Sequence, residues 1–390
     1  MNCEIKFEQI WRKSPEAVDF CPYRVCPIGA HSDHQKGRIT GLAIDKGIHI
    51  AWSVKRNGVV EVVSLQFEKR AQWHVRGVSE TRDGDWADYL RGATLELGRR
   101  YPLTCGISGV IEGSLPIGGL SSSAAVTIAF LSALCRANGI RPSENEIIEV
   151  AVASENHYVG VSSGKLDQSC ELFCRKDHLL YLDTQDDHYE LIPAAGHCKP
   201  WRIAIFFSGV ERTLAGSKFN MRVDEARSAA YALKAFSGMG YGKFAQTCLR
   251  DVPRDIYEAY KDRLPEPWRR RAEHFYTEYG RVMEGAAAWR AGDIETFGRL
   301  ITESGHSSIY NWETGSAELK TLYEIMCRTD GIYGGRFSGA GFKGCCMALI
   351  DPAYEDSIRR SVREAYISAF PALESNYSDY VCDSADGAIF

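Results

Sequence analysis

Residues 22–37, PYRVCPIGAHSDHQKG, crowd Arg24, His31, Asp33, His34 and Lys36 into a loop punctuated by Pro and Gly. An Asp accepts from sugar hydroxyls, and an Arg stabilises charge building on a transferred phosphoryl group. His31, Asp33 and His34 also admit a metal-site reading, although side chains this close in sequence rarely converge on one ion. Further along, GSLPIGGLSSSAAVTIAF (113–130) places two glycines and a proline before a run of small hydroxyl residues that open a helix. Glycines let backbone amides approach an anion closely, and a helix start offers free N–H groups and a positive dipole end. Taken alone, the stretch is equally a serine-capped helix that binds nothing.

Two acids complete the set. Glu155 interrupts an apolar helical stretch, and Asp167 lies in GKLDQS beside Lys165. Phosphoryl transfer to a hydroxyl needs a hard oxygen ligand for Mg²⁺ and a carboxylate to orient or deprotonate the acceptor. Lys165 could hold Asp167 ionised or meet an anionic substrate group. Each acid alone reads as a solvated surface carboxylate. A second glycine cluster, GIYGGRFSGAGFKGCCMALI from Gly331, implies tight turns or close backbone approach before a strand.

The elements that must carry these residues follow from local signals. GLAIDKGIHIAWSVKR and VVEVVSLQF read as strands joined by Asn57-Gly58, a type I′ hairpin signal. SSSAAVTIAFLSALCRANG reads as a helix of about four turns ended by Asn138-Gly139. ENEIIEVAVASENHYVG is a second helix, and LDQSCELFCRKDHLLYLD is a short helix or turn running into a strand. WRIAIFFSGV is a strand, followed by a helical tract from about 220 to 291 that is broken by Pro253, Pro265 and Pro267. CCMALI and the segment from Ser378 return as β structure. The best boundary falls at LIPAAGHCKP, dividing the 390 residues into domains 1–197 and 198–390.

Composition narrows the class. A net charge of −5 gives no basic excess for general nucleic-acid binding. No apolar run approaches membrane-spanning length, and the start lacks a secretory pattern, so a cytoplasmic location without membrane partners is expected. The 13 cysteines form no repeated zinc pairs and read as small buried hydrophobes.

Together these segments resemble the GHMP kinase superfamily, and within it the galactokinase-like branch, over nearly the whole chain. YRVCPIGAHSDH, PIGGLSSSAA and GGRFSGAGFKGC are similar to the three ordered family motifs, with SENHYVGVSSGKLDQ and GRLITESGHSS matching between them. The resemblance implies an α+β fold of two domains with the active site in the cleft between them, and ATP and Mg²⁺ as donor and metal. It implies that Arg24 stabilises the transferring phosphoryl and that Asp167 sits at the acceptor hydroxyl, as base or as electrostatic stabiliser. Ser123 and Glu155 would hold Mg²⁺. Gly118, Gly119, Ser121, Ser122 and Ser123 would wrap the ATP phosphates. His31 and Asp33 would bind sugar hydroxyls, and Gly339 and Gly341 would shape the site from the second domain.

The departures bear on the substrate. The family glutamate that meets the sugar 6-hydroxyl is Ala30 here, which removes a charge that would repel a C6 carboxylate. Lys36, Arg38 and Lys165 are candidate cations for that carboxylate. Phe219 stands where the family has a sugar-binding Tyr. The segment CPIGAHSDHQKG is also similar to the galacturonokinase variant of the family, so the expected partner is galacturonic acid phosphorylated at C1. Galactose, glucuronate and a non-catalytic sugar-sensing role stay open as alternatives. The phosphate loop is one residue shorter than the family pattern, and oligomeric state is left open, with a monomer as the simplest expectation.

Overall fold

The computed structural model describes residues 1–210, 216–342 and 344–390. The first half builds a mixed sheet from β1 (Ala17–Val25), β2 (Arg38–Lys55), β3 (Val59–Ser64), β4 (Ala71–His74), β5 (Gly106–Gly113), β6 (His178–Asp183) and β7 (Tyr189–Pro193). The order is β4-β3-β5-β2-β6-β7, with β1 laid on β2 as well. The 18-residue β2 is its axis, pairing with β1, β5 and β6 along its length. Around this sheet lie α1 (Asn2–Trp11), α2 (Asp88–Arg100), α3 (Ser122–Asn138), α4 (Glu144–Ala153) and α5 (Leu166–Phe173).

The second half builds an antiparallel sheet, order β11-β8-β10-β9, from β8 (Arg202–Phe207), β9 (Ile332–Phe337), β10 (Cys345–Ile350) and β11 (Ser378–Cys382). Its helices are α6 (Gly216–Ser237), α7 (Arg254–Tyr260), α8 (Glu266–Arg290), α9 (Ile294–Tyr310), α10 (Ala317–Met326) and α11 (Glu355–Ala369). The expected helical tract from 220 to 291 is therefore three helices. Pro253 and Pro265 stand at the caps of α7 and α8, so the prolines start helices where they were expected to break one.

The expected Asn57-Gly58 hairpin is not there. The turn itself forms, with Gly58 at φ 73 and its N–H bonded to Lys55 O at 3.2 Å. The strands it joins are kept apart by β5, which runs antiparallel to β2 (Ala51 opposite Val110) and parallel to β3 (Val62 opposite Gly109). A local turn signal cannot report a strand that arrives later and inserts. Gly106 makes the insertion possible, since a Cβ there would collide with the Val59 carbonyl.

The chain passes from one sheet to the other between residues 193 and 202. One hydrophobic core nevertheless spans both halves, joining Ile28, Ile39 and Leu180 to Val282, Trp289 and Phe297. A short β12 (Ser384–Ala385) returns to β2, opposite Ile44 and Ala43. Beyond it, the N–H groups of Gly387 and Ala388 donate to the carbonyls of Cys174 and Glu171, both at 2.7 Å, closing the C-terminal end of α5.

Helix α9 rests backbone to backbone on β9. A Cβ on Gly334 would fall inside the Gly298 carbonyl, and one on Gly298 inside that of Tyr333. Gly334→Ala is expected to cost about 2–3 kcal/mol by forcing helix and strand apart. Urea unfolding would show this as a lower midpoint with an unchanged slope.

Candidate active site

The loop after β1 is held by buried polar groups of the second half. Gly29 turns at φ 107 and His31 at φ 63, and the Gly29 N–H donates to the fully buried Glu278 carboxylate at 2.6 Å. Glu278 also accepts from Ser304 Oγ and from Arg281 Nε at 2.8 Å, with Arg336 beside it. Burial alone would raise the Glu278 pKa, but Arg281, His274 and Arg336 bring it down to about 2. His274 Nε2 lies 2.9 Å from the Ala30 carbonyl and Nδ1 2.9 Å from Ser307 Oγ. Burial lowers its pKa to about 4, so the ring is neutral. A carbonyl only accepts, so Nε2 carries the proton and Ser307 donates to Nδ1. The sequence reading missed Glu278, His274 and Arg336, because their role depends on a fold contact with a loop far away in the chain.

Arg24, on β1 and 3% exposed, is the centre of the site. Its Nε donates to Asp167 Oδ1 at 2.8 Å, NH2 lies 2.7 Å from the same oxygen, and NH1 donates to the Gly119 carbonyl at 3.2 Å. Burial opposes the Arg24 charge, and the Asp167 carboxylate more than offsets it. Asp167 sits in the first turn of α5, where helix polarity favours an anion. Asp33 caps the same helix by accepting from Leu166 N at 3.2 Å. Burial, with Asp167 as the second cause, pushes Asp33 up to about 6.

Glu155 reaches this group because α4 does not end cleanly. Residues 154–159 form one wide π turn before Gly160, at φ 83, stops the helix. The Glu155 carboxylate accepts from Ser163 Oγ at 2.7 Å and Gln168 Nε2 at 3.2 Å, and Ser123 is a further neighbour that favours its charged form. At 4% exposure and with Asp167 nearby, its pKa is pushed up to about 7. Among the described residues it has no Lys or Arg ion pair. Such a carboxyl suits a cation, and Ser123 with Glu155 offers two hard oxygens. That is enough for Mg²⁺, which draws its remaining ligands from water and substrate phosphate.

The glycine-serine loop turns sharply before its helix. Gly118 and Gly119 take φ 136 and 88, Ser121 takes φ 60, and α3 begins at Ser122. The Ser121 hydroxyl is buried without a partner among the described residues. Gly119 packs directly on Gly339, where a Cβ would lie 2.9 Å from the Gly119 Cα. Gly341, at φ 73, faces Thr314, and its carbonyl accepts from Gly315 N at 2.7 Å. The two glycine clusters thus meet across the cleft.

The expected cations are each paired with a carboxylate. Lys165 pairs with Asp187, Arg38 with Asp183 at 2.8 Å, and Lys36 with Asp251 at 3.6 Å. No local sequence signal marks where those three carboxylates come to lie. The His31 ring stacks on Trp312, with centroids 5.1 Å apart and 9° between planes, and Phe219 lies 6.4 Å away. Asp33 turns instead to α5, so the metal reading of His31, Asp33 and His34 fails. Among the described residues no three His, Cys, Asp or Glu side chains gather for a metal ion.

A buried Arg24 bonded to the half-buried Asp167 and to the glycine-serine loop, beside a carboxyl with no Lys or Arg partner among the described residues, is an arrangement suited to phosphoryl transfer. Residues 88–175 match the family model for the GHMP kinases N terminal domain, and residues 284–368 match that for GHMP kinases C terminal. The chain belongs to the GHMP kinase superfamily. It is similar to the galacturonokinase of Arabidopsis thaliana, with 37% identity across 96% of this chain and 94% of the relative. It is similar also to the galactokinase of a Roseiflexus species, with 32% identity across 98% and 95%. A crystal structure of Lactococcus lactis galactokinase complexed with galactose superposes with a TM-score of 0.89 at 27% identity, covering 99% of this chain and 98% of that one. A mevalonate kinase structure shares the fold alone, at 17% identity and a TM-score of 0.65. Within the superfamily, then, this is a sugar kinase of the galactokinase-like branch, and its family implies ATP as donor.

Glu155→Gln tests the cation reading. Its folded pKa of about 7 exceeds the ordinary carboxyl value of 4.5, so the folded state binds the extra proton. Stability from this group therefore falls as pH rises from about 4.5 to about 7 and is flat above. The variant should lose that slope and unfold at higher temperature than wild type at pH 8 without Mg²⁺, by an amount corresponding to about 3 kcal/mol. It should also lose Mg²⁺-dependent turnover. Melting curves across pH 5–8 check the first expectation and an ADP-release assay the second.

Proposed function

We propose that this enzyme transfers the γ-phosphoryl of ATP to the anomeric C1 hydroxyl of galacturonic acid, giving galacturonic acid 1-phosphate and ADP. The observation that carries the substrate reading is Ala30. It is 8% exposed, its carbonyl is fixed by His274, and it puts a methyl group where a carboxylate would face C6. Phe219 beside His31 likewise offers a ring without a hydroxyl. The kinase apparatus around them is complete, and the 37% identical relative is a galacturonokinase.

The roles in this reading are those the family resemblance implies for these residues. Asp167 orients the C1 hydroxyl and takes its proton or stabilises its charge, and Arg24 neutralises the phosphoryl in flight. Gly118, Gly119 and Ser121 to Ser123 bind phosphate through backbone amides and hydroxyls. Ser123 and Glu155 would hold Mg²⁺, which would supply neutralising charge to the phosphates when bound. Asp33 accepts from sugar hydroxyls, Gly339 and Gly341 keep the second half close to the phosphates, and the domains divide at 197/198. Arg24→Lys should lower kcat by about a hundredfold, since a point charge cannot bridge Asp167 and Gly119 as a planar fork does.

Comparing kcat/KM for galacturonate, glucuronate, galactose and glucose by ADP release tests the substrate. At least about a tenfold preference for galacturonate over galactose is expected. Ala30→Glu should erase it by placing an acid against the C6 carboxylate. A wild-type preference for galactose would refute the proposal.

A further inference from the structure

Removing an acid at Ala30 makes room for a carboxylate but does not bind one, and Lys36, Arg38 and Lys165 are engaged elsewhere. The question is which donors receive it. The region beside His31 and Phe219 contains buried N–H groups with no acceptor among the described residues: His34 Nε2, Arg227 Nε and Trp312 Nε1. The His34 ring lies 5.3 Å from that of Trp312 and 6.0 Å from that of Phe219. Helix α6, which carries Phe219 and Arg227, packs over the Asp33–Gln35 turn.

The hydrogen on His34 is fixed by a relay. Leu249 N–H donates to Gln35 Oε1 at 3.1 Å, which sets the orientation of that amide. Gln35 Nε2 is then the donor facing His34 Nδ1 at 3.1 Å. A neutral imidazole that accepts at Nδ1 carries its proton at Nε2. Burial, with the nearby Arg227 charge as the second cause, lowers His34 to about 3 and keeps it neutral. His34 Nε2–H is therefore a donor, 91% buried with its residue, and pointed at nothing that accepts. Arg227 is equally underused, since its described ion partner is the exposed Asp224 at 3.4 Å.

A buried donor left empty costs about 1–3 kcal/mol, and more when it is charged. Two such donors on the neighbouring rings of His34 and Trp312, with the charge of Arg227 near His34, call for an anionic acceptor with two oxygens. We infer that Arg227 and His34 form the receptor for the C6 carboxylate of the sugar acid, with Gln35 as the positioning residue that sets the His34 tautomer. This assignment rests on the uronic-acid reading above and supplies the attraction that Ala30 cannot.

The test compares wild type, Arg227→Met and His34→Phe, variants that keep bulk and remove the donor. The readout is the ratio of kcat/KM for galacturonate to that for galactose. Each variant should lower the ratio by about 30-fold to 100-fold, through KM for galacturonate, as loss of a charge-assisted hydrogen bond requires. Gln35→Met should lower it less. The galactose arm separates a lost receptor from a misfolded enzyme, because misfolding lowers both substrates together. Should wild type favour galacturonate while both variants keep its ratio within about threefold, the assignment is overturned and the substrate reading stands. Should wild type neither turn over nor bind galacturonate, both fall.

Discussion

A guanidinium near the end of a β-strand, almost wholly removed from water, has to be neutralised where it stands. Arg24 meets that requirement by bonding Asp167 on α5 and the Gly119 carbonyl of the phosphate loop at once. Strand, helix and loop are thereby fixed to one planar group. The pair is also the electrical centre of the site. The negative charge on Asp167 follows burial as a cause of the raised pKa values of Asp33, Glu155 and Glu171. Three neighbouring carboxyls thus hold their protons more tightly, and charge at the acceptor position is concentrated on one residue.

The second half of the chain acts mainly by holding the first in place. Glu278, His274 and Arg336 grip the loop that presents Ala30, His31 and Asp33, and the Gly339 segment closes on the phosphate loop. This support is costly in buried charge. A carboxyl such as Glu155, pushed up by burial, destabilises the empty protein at neutral pH, a sign that the cleft is shaped for a cation-bearing ligand.

Much of this was legible in the sequence because it is local. The glycine-serine run marks a tight loop at the start of a helix, and the family motifs lead to Arg24, Asp167 and Glu155. The missing hairpin and the engaged cations have a common cause. Asn57-Gly58 specifies a turn but not which strand will pair beside it, and Lys165 carries a charge but not the position of Asp187. His34 showed in the sequence only as a possible metal ligand. Its donor character depends on Gln35 and on Leu249, which only the fold brings to it.

The return of residues 384–388 to the first sheet and to the end of α5 bears on how the protein is made. Domains of a nascent chain generally close as they emerge. Here the first sheet lacks a strand, and the helix that carries Asp167 in its first turn lacks two backbone N–H donors to the carbonyls at its far end, until residues 384–388 leave the ribosome. The helix that carries Asp167 is thus finished by residues more than two hundred positions further along the chain, which ties the first half of the site to the folding of the second.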